Sequence, residues 1–190
     1  MKLDELIYDW NLEAIPGARP SQPVELDDET LRDGLQSPSV KAPNIDQKIE
    51  LLHLMEKLGI HSADIGLPGA GPHVLEHVVL LAKEIVNNKM KIRPNCAART
   101  LKQDITPISE ASQRAGIKIE ACTFIGSSPI RQYAEGWTID QLLKFTEDAV
   151  TYAIQNGLDV MYVTEDTTRA KPDDIRRMYS TAIRCGATRL

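Results

Sequence analysis

The sequence predicts an α/β fold in which parallel strands alternate with amphipathic helices. One observation is that four helical segments end at a glycine followed at once by a strand, in the phrases LGIHSADIG, AGIKIEACTF, NGLDVMYV and CGATRL. Glycine is favoured at such a position because it adopts the left-handed conformation that ends a helix. The other is that the polar loops follow strands, whereas the turns after helices are short. Repeated strand–helix units favour a parallel sheet with right-handed crossovers.

The elements can be placed in order along the chain. Residues 1–23 form a Pro-rich lead-in, and residues 24–190 form one domain. The predicted strands are 24–30, a short one within 60–69, 91–97, 117–125 and 158–163. The predicted helices are 44–58 with an Asn44–Gln47 cap, 73–86, one that begins near Asp104 or Thr106 and ends at Gly116, 138–157 with a Thr138–Gln141 cap, and 171–185. Each helix start is chosen because a short polar side chain can accept a hydrogen bond from the first turn.

Composition excludes several classes of protein. The 190 residues are 42% hydrophobic and 26% charged, which is ordinary for a folded domain. No apolar run approaches the ~18 residues of a membrane span, and the first residues lack a signal pattern. A net charge of -5 disfavours binding to nucleic acid or to an anionic membrane. We therefore expect a cytoplasmic protein that binds neither.

Three loops that follow strands carry residues capable of chemistry. LRDGLQ holds Arg32, whose planar guanidinium suits a carboxylate or enolate, and Asp33, whose oxygens suit a divalent metal. The alternative is a surface ion pair before a glycine turn. TEDTTR holds Glu165, an acid, base or orienting group, together with Arg169. The alternative there is a loop whose acidic residues favour the next helix.

The third loop is FIGSSPIR, in which Ser128 and a following arginine suit the binding of a carboxylate or phosphate. The alternative is a capped loop with no ligand. Other common motifs are missing from the sequence: it has no HxH or HExxH pair, no P-loop, no GxGxxG fingerprint and no GxSxG elbow. NAD- and ATP-dependent activities therefore have little support.

Five segments in register resemble one family of enzymes. DETLRDGLQSP, DIGLPGAGP, CAAR, TFIGSSPI and EDTTR each follow a predicted strand, and together they span most of residues 24–190. They resemble the acyl-CoA condensing synthases for 2-isopropylmalate, citramalate and homocitrate, and more distantly 3-hydroxy-3-methylglutaryl-CoA lyase. The resemblance implies a (β/α)8 TIM barrel and a metal-dependent Claisen condensation of acetyl-CoA with a 2-oxo acid. The QSP that follows LRDGL favours the 2-isopropylmalate and citramalate branch.

The resemblance also implies roles for single residues. Asp33 would bind the divalent metal (Mg, Mn or Zn), and Arg32 would contact the 2-oxo acid and stabilise the enolate or alkoxide. Gln36 would hold the substrate carboxylate, and Glu165 would orient or assist the reacting groups. The predicted substrate-binding set comprises Gln36, Ser128 and Arg169.

The sequence departs from the family pattern at several points. Leu35, Cys122 and Val163 stand where these synthases commonly have Glu, His and a small hydroxyl residue, which predicts a less polar pocket. The family's HxH metal ligands do not occur in the sequence. Five units fill residues 24–187, whereas eight would need about 260 residues, so we expect about five eighths of a barrel.

An incomplete barrel leaves strand edges and apolar surface open. We therefore expect a homo-oligomer, or a chain complemented by a C-terminal half, and weak metal binding by the chain alone. Two other functions stay open: carbon–carbon bond cleavage of the lyase or aldolase type, and an inactive fragment that binds a partner subunit. A doubly wound five-stranded sheet is the alternative fold.

Overall fold

The computed structural model describes residues 23–190, which form a five-stranded parallel sheet flanked by helices. Of the predicted lead-in, only Pro23 falls within these residues. The strands are β1 (Asp27–Asp28), β2 (Ser62–Asp64), β3 (Arg93–Arg99), β4 (Glu120–Gly126) and β5 (Val160–Glu165). The helices are α1 (Ile45–Leu58), α2 (Pro72–Asn87), α3 (Lys102–Ala115), α4 (Pro129–Glu135), α5 (Ile139–Gln155) and α6 (Pro172–Arg184).

The order of the strands distinguishes the two predicted folds. Each strand pairs in parallel with the next one along the chain, in the order β1-β2-β3-β4-β5. A doubly wound sheet reverses its strand order at a switch point, whereas a barrel does not. The fold is therefore a partial (β/α)8 barrel, as predicted, and the doubly wound alternative is wrong. At the far edge, Arg189 forms a parallel bridge to Met161 of β5. Arg189 therefore lies where the next strand of the barrel would begin.

The two faces of the sheet differ in chemistry. Cys96, Ala121 and Val160 are register partners, and all three are fully buried on the face that packs against the helices. Asp64, Asn95 and Glu120 are also register partners, but they point to the opposite, concave face. The apolar core therefore lies between sheet and helices, and the polar residues of the strands line the inside of the curled sheet.

Local sequence signals explain the ends of the helices. Asn44 with Gln47, and Thr138 with Gln141, form reciprocal capping boxes at the starts of α1 and α5, as predicted. The glycines predicted to end helices are all left-handed, with φ between 73° and 109°: Gly59, Gly116, Gly157 and Gly186. Within residues 23–190, no helix combines the length and the apolar character needed to cross a membrane.

Three predicted elements need correction. The strand expected at 24–30 is paired only at Asp27–Asp28. Helix α3 begins at Lys102, and neither Asp104 nor Thr106 caps it, because the Asp104 carboxylate accepts hydrogen bonds from Arg99 instead. Helix α4 falls inside a segment predicted as loop, and its first turn is stabilised by the Ser128 hydroxyl.

Candidate active site at the carboxyl ends of the strands

A tight turn after β1 places Arg32 and Asp33 at the carboxyl edge of the sheet. The Glu29 carbonyl accepts hydrogen bonds from the backbone N–H groups of Arg32 (3.2 Å) and Gly34 (3.0 Å). A short 3-10 helix over Gly34–Gln36 follows directly. The chain therefore leaves the strand abruptly and presents the adjacent side chains Arg32 and Asp33 at the edge.

Arg32 is held from several sides. Its Nε donates to Asp64 Oδ2 at 3.3 Å, and its Nη1 donates to Asp33 Oδ1 at 3.0 Å. The guanidinium carbon lies 5.5 Å from the centre of the Phe124 ring. Only 19% of the side chain is exposed. These contacts fix the plane of the guanidinium and leave its remaining N–H groups for a ligand.

Asp64 is the buried anchor of this arrangement. Its side chain is fully buried, and Oδ1 accepts a hydrogen bond from the Gly66 N–H at 3.0 Å. Burial raises the pKa of Asp64 to about 7, helped by the charge of Glu29 and opposed by the Gly66 amide and Arg32. Such a shift next to a cleft is typical of functional sites. Asp64 is not among the residues predicted from the sequence, although a lone carboxylate inside the apolar strand SADIG is a signal that could have identified it.

Two adjoining cavities open at this edge. One, of about 360 Å³, is lined by Arg32 and Gln36 from the first loop and by side chains of α1 and α2. The other, of about 500 Å³, is lined by Glu165 and by residues of β3, β4 and α4. Phe124 and Arg99 line both. Arg32 and Gln36 therefore line one cavity and Glu165 lines its neighbour, and the two cavities adjoin at Phe124 and Arg99.

Glu165 ends β5 and is half exposed. Arg131, from α4, approaches its carboxylate to 3.9 Å and also pairs with Glu135 at 3.2 Å. The Arg131 guanidinium lies 5.8 Å from the centre of the Trp137 ring. The Glu165 carboxylate therefore has one distant cationic neighbour and free access to the cavity, which suits a group that exchanges protons with a ligand.

Two predicted substrate-binding residues lie apart from these cavities. The Ser128 hydroxyl is buried and accepts a hydrogen bond from the Arg131 N–H at 3.3 Å, which makes it the N-cap of α4. Arg169 lies in a short 3-10 helix and is paired with Asp166. Neither residue is among those that line the two cavities. Their role in substrate binding stays a prediction.

The donor set at Asp33 does not by itself fit a divalent metal. Its side chain is 68% exposed and contacts Arg32 and Gln36, both of which are hydrogen-bond donors. Residues 23–190 contain no group of three or more His, Cys, Asp or Glu side chains placed to hold an ion. One carboxylate is too few ligands for a stable site, so Asp33 alone would not hold a divalent ion tightly.

Comparison with known proteins agrees with this geometry. The family model described as HMGL-like matches residues 23–190. The chain belongs to the HMGL-like family. Its curated relatives include homocitrate synthase AksA of Methanopyrus kandleri, 32% identical over 86% of this chain and 39% of that protein. They also include 2-isopropylmalate synthase of Streptococcus gallolyticus, 35% identical over 87% of this chain and 31% of that protein.

A solved structure matches the fold. The HMG-CoA lyase from Brucella melitensis superposes with a TM-score of 0.63 at 18% identity, covering 88% of this chain and 59% of that one. The chain thus spans about a third of the length of the curated relatives and three fifths of the solved lyase. The family and the barrel fold predicted from the five segments are confirmed.

Proposed function

We propose that the chain forms part of an acyltransferase that condenses acetyl-CoA with a 2-oxo acid. The observation that carries the proposal is Arg32, fixed by a buried carboxylate at the carboxyl edge of the sheet and lining a cavity that adjoins the one lined by Glu165. A preorganised guanidinium stabilises oxygen charge that develops during a reaction. The named relatives are synthases of this kind.

The reaction assigns distinct work to the residues in the cleft. A methyl proton leaves acetyl-CoA, the resulting carbon nucleophile attacks the oxo carbon, and the new alkoxide takes up a proton before hydrolysis releases CoA. Arg32 contacts the oxo oxygen, where negative charge accumulates, and Gln36 donates to the substrate carboxylate. Glu165 is the acid–base group of the set. Two carboxylates line the second cavity, and Glu135 pairs with Arg131 at 3.2 Å, whereas Glu165 is 3.9 Å from that cation.

The same proposal includes a divalent metal (Mg, Mn or Zn) with Asp33 as one ligand. Since residues 23–190 do not complete the ligand set, tight binding requires ligands from elsewhere. A complementary barrel segment or another copy of the chain would supply them. The open edge at β1, whose neighbour in the described sheet is β2 alone, supports such an assembly. The cytoplasmic location stays a prediction.

The test is release of free CoA from acetyl-CoA with a panel of 2-oxo acids and each divalent metal. The 190-residue chain is assayed alone and after co-expression with the C-terminal part of a family barrel. The proposal expects CoA release that depends on both the 2-oxo acid and the metal. Formation of acetyl-CoA from a 3-hydroxyacyl-CoA, without any condensation, would contradict it and favour lyase activity instead.

A further inference from the structure

The smaller cavity contains an unusual lysine. Among the lysines of residues 23–190, Lys48 is the one that is not exposed. It lies on α1, and its Nζ lies 3.4 Å from Nδ1 of His77 on α2. No carboxylate of the described residues forms an ion pair with it, and burial alone lowers its pKa. A partly buried ammonium group without an anion is costly, so its position needs a reason.

The surroundings of Lys48 are basic and apolar. The charged and titratable residues that line the cavity are Arg32, Lys48, His77 and Arg99, and no Asp or Glu lines it. Arg32 and Arg99 already form ion pairs with carboxylates of the chain itself, Asp64 and Asp104. The positive charge that has no carboxylate partner therefore lies at the end of the cavity formed by Lys48 and His77. Apolar side chains such as Leu35, Ile65 and Val74 form the rest of the wall.

His77 completes a pair of donors. Burial, Lys48 and His73 all lower the pKa of His77, which favours its neutral form. When Lys48 donates to Nδ1, the neutral ring carries its proton on Nε2. The pair thus offers ammonium N–H groups and an imidazole N–H, the donors that bind an anionic oxygen group.

We infer that the Lys48–His77 end of this cavity binds a carboxylate or phosphate group of a small molecule whose apolar part packs on the cavity wall. The bound anion would supply the negatively charged partner that no Asp or Glu of residues 23–190 supplies to Lys48. The Lys48–His77 site lies in the same cavity as Arg32. Its test measures the binding of a ligand and not the release of CoA, so the site does not depend on the condensation proposed above.

Calorimetric titration of the 190-residue chain tests the site with four probes. Inorganic phosphate and CoA represent phosphate groups, and 2-oxoisovalerate and 2-oxoglutarate represent carboxylates. We expect saturable binding of at least one probe, and the set that binds identifies the source of the anion. Lys48→Met should weaken that binding about tenfold or more, whereas Lys48→Arg should largely preserve it. The matched control is Lys57→Met, an exposed lysine on the same helix, which should leave the affinity unchanged.

A second measurement covers the case in which Lys48→Met fails to fold. The imidazole NMR signals of His77 in the unmodified chain should shift to saturation with the binding probe, while those of exposed His73 move far less. Absence of binding by all four probes to the folded chain would overturn the inference. So would equal affinities of the Lys48→Met and Lys57→Met variants, or a His77 signal that does not respond to a bound probe. If the chain binds a probe in this way but releases no CoA in the assay of the proposed function, the proposed reaction is contradicted and the anion site is not.

Discussion

The two ends of the sheet use charge in opposite ways. At the amino end, a cavity of about 600 Å³ is lined by charged groups that pair with one another: Glu25 with Arg93, Glu120 with Arg189, and Asp159 with Lys118. At the carboxyl end the cavities are smaller, yet the Arg32 that lines one of them is bonded to a buried Asp64 with a raised pKa, and the same cavity is lined by Lys48, which has no carboxylate partner in residues 23–190. Mutual pairing is typical of structure, and incomplete pairing around a cleft is typical of binding and catalysis. The volume of a cavity therefore does not identify the functional end.

The largest expected difference between the ends is in activity. Arg32→Ala should lower the rate of CoA release about 10²–10³-fold, because it removes a preorganised cation from the site of developing charge. Arg93→Ala removes a half-exposed cation at the opposite end and should leave the rate unchanged. Steady-state assays of both variants check this. Equal losses in both, or full activity of Arg32→Ala, would remove the distinction between the ends.

The next largest effect concerns the pH dependence of the free energy of unfolding. The raised pKa of Asp64 means that the folded chain keeps this proton at pH values where the unfolded chain has lost it. Its contribution to the free energy of unfolding therefore decreases as pH rises from about 4 to about 7, by up to about 4 kcal/mol. Asp64→Asn should remove this decrease. Urea unfolding of both chains across that range measures it, and parallel pH profiles would show that folding does not raise the pKa of Asp64.

The smallest effects are expected at the amino end. Glu120 is only 15% exposed, so Glu120→Gln should lower the free energy of unfolding by about 1–3 kcal/mol, because Arg189 loses its partner. Asp159→Asn breaks a more exposed pair with Lys118 and should cost less than about 1 kcal/mol. Both are read from urea unfolding at neutral pH. A larger loss for Asp159→Asn would mean that exposure does not govern these pairs.

Much of the fold could be predicted from the sequence because its signals are local. The capping residues Asn44 and Thr138 each accept a hydrogen bond from a backbone N–H three residues away. A helix-ending glycine such as Gly59 is predictable because the position requires a positive φ angle, which glycine adopts readily. The cap predicted at Asp104 was wrong, because its partner Arg99 lies outside the helix that Asp104 was expected to cap. Helix α4 was not predicted, since a short helix after SSP has no long apolar pattern.

The candidate site was predicted only in part, for a related reason. Arg32 and Asp33 lie in a loop after β1 and Glu165 is the last residue of β5, and the sequence reveals such strand ends. Asp64, Phe124 and Lys48 acquire their importance from contacts between distant elements, such as the 3.3 Å bond from Arg32 to Asp64. No local spacing encodes the register of β1 against β2 or the packing of α1 against α2 that brings these residues together.

Hydrogen exchange of the backbone with and without saturating acetyl-CoA, read by mass spectrometry, compares the two ends directly. The carboxyl-end segments Gly34–Gln36, Pro68–Ala70 and Thr167–Arg169 should exchange more slowly when the ligand is present. The amino-end turns at residues 88–92, 116–119 and 157–159 should exchange at the same rate in both conditions. Slower exchange confined to the amino-end turns would contradict the assignment of the active site to the carboxyl ends of the strands.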